Sequence, residues 1–149
     1  MREKIAQAMK QAMKSQDKRR LGTLRLIQAA IHDRDIAQRG AGKDPVSDDE
    51  IFQILAKMVK QREESAKIYE EASRVDLAMQ ERDEIEIIRD FLPKQLDDDD
   101  VKLACRSVIS EIGADGLRDM GRCMAVLKEK FPGKMDFGKA SGVVKDMLK

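Results

Sequence analysis

Hydrophobic positions recur along this chain at three- and four-residue intervals almost from end to end, a spacing that predicts helices rather than strands. Ile5, Ala8, Met9, Ala12 and Met13 form one stripe, for a helix over 2–15. Asp17 is a cap candidate for a second helix, with Leu21, Leu24, Ile27, Ile31 and Ile36 facing inward and Gly22 offering a close approach to a neighbour. Arg39-Gly-Ala-Gly-Lys-Asp-Pro45 is the clearest loop. Ser47 and Glu50 then have capping-box spacing, opening a helix lined by Ile51, Ile54, Leu55, Met58, Val59, Ala66 and Tyr69. Ser73 is read as the next cap, followed by Leu77, Ile85, Ile88 and Phe91 up to the stop at Pro93. Beyond it lie three shorter helices. The first starts at Asp97 to Asp100 and carries Val101, Ala104, Cys105, Val108 and Ile112. The second has Asp119 as its cap candidate and carries Met120, Cys123, Met124, Leu127 and Phe131. The third has Asp136 as its cap candidate and carries Phe137, Ala140, Val144, Met147 and Leu148. The expected architecture is all-α: a helical domain of about four helices over 1–93 and a small three-helix domain over 94–149.

Composition sharpens this reading. The chain has 149 residues, 38% of them charged and only 3% aromatic, which suits solvated helices and offers few stacking surfaces. Net charge is only +1, but residues 1–44 carry 11 basic and 5 acidic side chains, whereas 45–92 carry 7 and 13. Residues 117–149 carry 8 and 4. Two basic ends flank an acidic middle, a pattern open to two readings: a local polyanion site, or uneven solvated faces. No run approaches the roughly 18 apolar residues of a membrane span. The basic amphipathic start is open to a presequence reading, which Glu3 and the absence of serine before Ser15 disfavour. The expected location is cytoplasmic, with no membrane partner.

Candidate chemistry is sparse. Cys105 and Cys123 stand among apolar residues, without zinc-ligand spacing, and read as core thiols. His32 has no nucleophile one helical turn away. The loop at 39–45 lacks the glycine spacing and the Ser or Thr of a phosphate loop. Asp97 to Asp100 read as a helix start rather than a metal site. Glu63 with Lys67 and Glu70 with Arg74 have the spacing of intrahelical ion pairs. No catalytic residue, metal or cofactor is expected. The basic residues Arg118, Arg122, Lys128, Lys130, Lys134 and Lys139 crowd two helix ends and the turn at Phe131 to Lys134. With helix amides beside them, such cations suit phosphate oxygens of a folded RNA.

The order and spacing of several segments carry a resemblance. They are Thr23-Leu-Arg-Leu-Ile-Gln-Ala-Ala-Ile31, Lys60-Gln-Arg-Glu-Glu-Ser65, Tyr69, Arg74-Val-Asp-Leu-Ala78, Glu81, Glu84-Ile85, Phe91-Leu-Pro-Lys-Gln-Leu96, Met120-Gly121, Met124, Pro132-Gly-Lys134, Asp136, Gly138 and Val143-Val144. Together they resemble the GatB/YqeY family over nearly the whole chain, most closely its free-standing YqeY-like members. The resemblance implies a C-terminal domain similar to the tail of GatB, the subunit of the tRNA-dependent amidotransferases whose tail contacts tRNA while ATP use and amide transfer belong to other domains. It also implies partners: tRNA, and an aminoacyl-tRNA synthetase such as glutaminyl-tRNA synthetase, or an amidotransferase. The family label of carbon–nitrogen ligase with glutamine as amido-N-donor is read as inherited from that larger enzyme. Three functions remain open: a tRNA-binding module, a protein-interaction adaptor without RNA, and a contributor to amide transfer.

Overall fold

The computed structural model describes residues 1–149. It is all-helical: α1 (Arg2–Lys14), α2 (Lys18–Gly40), α3 (Asp48–Glu71), α4 (Val75–Arg89), α5 (Asp98–Ile112), α6 (Met120–Lys130) and α7 (Phe137–Leu148), with a single 3₁₀ turn at Leu117–Asp119. No helix is long and apolar enough to cross a membrane. The chain divides into two compact units, Met1–Leu92 and Pro93–Lys149.

In the first unit the core is built from one stripe of each helix. Ile5 and Ala12 of α1 meet Leu24, Ile27 and Ile31 of α2, Ile51, Leu55, Met58 and Val59 of α3, and Ile85, Ile88 and Phe91 from α4 and its exit. The polar ends are set by short-range chemistry. The Asp17 carboxylate accepts from the Arg20 amide at 3.1 Å. Ser47 and Glu50 complete a reciprocal capping box at the start of α3. Gln38 is buried and its side-chain amide donates to Glu50, tying the end of α2 to the start of α3.

Several expectations fail here. Ile36 is 54% exposed and Met13 also faces out, because each lies off the stripe its neighbours bury. Gly22 is exposed, with nothing within 4 Å of where a Cβ would stand, so no helix approaches it. Ser73 is not a cap. It holds φ 60° in the reversal between α3 and α4, and Arg74 takes the N-cap position without a side-chain bond. The expected intrahelical pairs give way to pairs across the α3–α4 hairpin. Glu63 meets Arg89 at 2.8 Å, and Glu70 meets Arg82. Each step is seven residues in both arms, the register of an antiparallel coiled coil. On the inner side, Arg62 Nε donates to Glu84 at 3.0 Å, a pair only 15% and 17% exposed.

The second unit packs Ala104, Cys105 and Val108 of α5 against Cys123 and Leu127 of α6 and Ala140, Val144 and Leu148 of α7, with Met135 between the last two helices. Asp97 caps α5 by accepting from the Asp100 amide at 2.7 Å, which accounts for part of the acidic run. Gly113 ends α5 at φ 70°. Asp119 precedes α6 but makes no cap bond. Its carboxylate accepts instead from the Asp115 amide at 3.2 Å, closing the loop before the helix. That amide is also the first cause holding the Asp119 carboxyl below the usual carboxylate range. Both thiols are buried, and burial pushes their pKa values up.

Candidate nucleic-acid interface

Helix α6 buries Cys123 and Leu127, one turn apart, and so turns its charged positions outward. Its last turn carries Lys128 and Lys130, a placement the helix dipole favours. The chain then reverses through Phe131, Pro132 and Gly133, the last at φ 71°. Met135 is buried and anchors the far side of the reversal. Lys134 sits between these anchors with both backbone groups used: its amide donates to the Phe131 carbonyl at 3.2 Å, and its carbonyl accepts from the Leu96 amide at 2.8 Å. Gln95 Nε2 donates to the Gly133 carbonyl at 2.6 Å. The segment ahead of α5 thus straps the lysine-bearing turn in place. No residue-type pattern announces that strap, since half of it is backbone bonding.

The six expected cations separate into two groups. Arg118 in the 3₁₀ turn and Arg122 in the first turn of α6 lie at one end of that helix. Lys128 and Lys130 close its other end, about 9 and 12 Å from Arg122 along the axis for six and eight residues of rise. Lys134 follows in the turn, and Lys139 stands in the first turn of α7. Three of the six face a carboxylate. Arg118 lies 3.4 Å from Asp115, Arg122 lies 3.4 Å from Asp119, and Lys130 pairs with Glu111. The Arg118 and Lys130 pairs are exposed on both sides, and such pairs are worth little. Lys128, Lys134 and Lys139 have no carboxylate within ion-pair distance. One supporting idea is corrected. The α7 amides of Gly138 and Lys139 do not await a phosphate, because Asp136 Oδ1 already accepts from them at 2.8 and 3.4 Å. Lysine side chains, not helix amides, are what this turn offers to an anion. His32 is exposed on α2, and nowhere do three or more His, Cys, Asp or Glu side chains gather as a metal site would need.

A family model described as "Yqey-like protein" matches residues 2–148. The chain belongs to the YqeY-like family. No curated protein matches it. In the second unit of this YqeY-like chain, Lys128, Lys134 and Lys139 stand at or beside the strapped turn. The two arginines at the opposite end of α6 each face a carboxylate three residues back.

Proposed function

We propose that this YqeY-like protein is a tRNA-binding accessory module of the cytoplasm, related to the tRNA-dependent amidotransferases and to glutaminyl-tRNA synthetase, and that it positions tRNA without carrying out chemistry of its own. The observation behind this reading is the strapped turn: Lys134 is fixed through both backbone groups, and it and the neighbouring Lys128 and Lys139 are free of carboxylate partners. Lysines without aromatic neighbours bind the sugar–phosphate backbone and give affinity rather than base readout. That chemistry fits a folded RNA recognised by shape.

The test is a gel-shift titration of folded tRNA at two salt concentrations. The expected result is saturable binding that weakens as salt rises, with the log–log slope reduced by about 1 for each contacting lysine replaced. Lys134→Ala with Lys139→Ala should weaken binding; an unchanged curve would remove this site. A second reading, a protein-interaction adaptor that docks on a synthetase or amidotransferase, is supported by Ile68, Val75 and Met79. These three stand 63%, 61% and 60% exposed around the reversal of the α3–α4 hairpin. Absence of any salt-sensitive tRNA shift would leave that reading in place.

A further inference from the structure

We infer that the first unit carries a second contact for the backbone of a base-paired RNA, along a stripe of α2 made by Lys18, Arg25, His32 and Arg39. The inference rests on the RNA-binding reading above but not on the lysines of the second unit. These four residues stand seven apart, so they drift only about 20° per step and run along one side of the helix for about 31 Å. All four are exposed. Leu24, Ile27 and Ile31 of α2 lie in the core, and the stripe runs along exposed positions of the helix, with Arg25 and His32 on a groove shared with α1.

The distribution of carboxylates is the telling feature. Cations on the flanks of this region are paired: Arg2 with Asp35, Arg19 with Asp83, Arg20 with Asp90 and Arg34 with Glu50. Lys18, Arg25 and Arg39 have no carboxylate within ion-pair distance. Between them on the same side stand Leu21, Gly22, Gln28, Ala29, Asp35 and Ile36, and Asp35, the one carboxylate of the six, is held by Arg2. Gly22 has open space around it, and Ala29 is exposed. An open groove of about 690 Å³ runs beside the stripe, with Arg25, Gln28, Ala29 and His32 on the α2 wall. Two carboxylates line it, Glu3 on the α1 wall and Asp35 on the α2 wall, and Asp35 is taken by Arg2.

Three cations in line, Lys18 and Arg25 about 10 Å apart and Arg39 about 21 Å further on with the His32 imidazole between, suit a surface of densely spaced phosphates, where every cation finds an anion without a fixed register. No Phe or Tyr lies in α2, so unstacked bases have no platform and a base-paired backbone is the fitting occupant.

The experiment uses the full chain and a fluorescein-labelled RNA hairpin with a stem of about 16 base pairs. Fluorescence anisotropy is followed over a series of salt concentrations. Two double variants are compared with the unaltered chain, Arg25→Gln with Arg39→Gln and Lys134→Gln with Lys139→Gln. Glutamine keeps the helix propensity of arginine, and far-UV circular dichroism checks that the helices persist. The Arg25/Arg39 variant is expected to bind about tenfold more weakly, with a log–log salt slope smaller by about 2. If that variant binds as the unaltered chain does while the Lys134/Lys139 variant weakens, the stripe is refuted and the proposed function stands. Loss in the Arg25/Arg39 variant alone supports the stripe and removes the turn as the contact. Absence of salt-sensitive binding by the unaltered chain overturns the RNA reading and the stripe together.

Discussion

Asp35 accepts from Arg2 Nη1 and Nη2 at 2.8 Å each, and the oxygen that meets Nη2 also takes the Val46 amide at 2.9 Å. Arg2 returns a bond to the Val46 carbonyl at 3.0 Å. One carboxylate thereby joins α1, α2 and the loop before α3. The bonds from Arg2 are the first cause lowering its pKa from 3.8 to about 2, with the Val46 amide next. A carboxyl whose pKa falls on folding adds stability that is present above its unfolded pKa and lost as pH drops through the folded one. The Asp35→Asn variant should therefore be less stable than the unaltered chain at neutral pH. The gap in urea midpoint should close between about pH 4 and pH 2. A gap that stays constant over that range would show that Asp35 titrates alike in both states. None of this was legible in the sequence. Arg2 and Asp35 are 33 positions apart, and residue patterns report partners only within a turn or two. The same limit explains why Glu63 and Glu70 were matched to nearby cations when the actual partners lie across the hairpin.

At the scale of elements, seven helices were largely readable because each buries a regular stripe, as α3 does with Ile51, Leu55, Met58 and Val59. Caps were readable where the side chain bonds its own helix: Asp17, Ser47, Asp97 and Asp136 all accept from amides two or three residues ahead. Ser73 and Asp119 share that residue chemistry but are used otherwise. Asp119 was claimed by an amide four residues behind it. Ser73 was claimed by backbone geometry, since the Arg74 amide reaches the Tyr69 carbonyl at 2.7 Å and the chain must pass through the left-handed region to do so. A side chain at φ 60° carries a cost that glycine avoids. Ser73→Gly should accordingly stabilise the protein by about 0.5–1 kcal/mol, read as a raised denaturation midpoint. A loss of stability would mean that the serine hydroxyl holds the reversal. The candidate cation site was legible only as composition: the sequence puts lysines near the turn at 131–134, but the strap from Gln95 and Leu96 reaches that turn across 38 positions, beyond any local residue pattern.

For the whole molecule, each compact unit has a core of its own, from Ile5 to Phe91 in one and from Ala104 to Leu148 in the other. Chains with separate cores fold as separate pieces. The fragments Met1–Leu92 and Pro93–Lys149 should each show helical circular dichroism and a cooperative melt. The second is small enough that single bonds matter. Starting it at Asp97 deletes the strap and should cost about 1–3 kcal/mol, the worth of two hydrogen bonds. Equal stability of the two versions would show that the turn needs no strap. Within the first unit, the α3–α4 hairpin has a length set by its seam. Because Glu63–Arg89 and Glu70–Arg82 repeat on a seven-residue step, its reach comes in fixed increments: adding seven residues to both arms keeps the seam in phase and moves the tip by about 10 Å, whereas a change of two or five residues scrambles the seam.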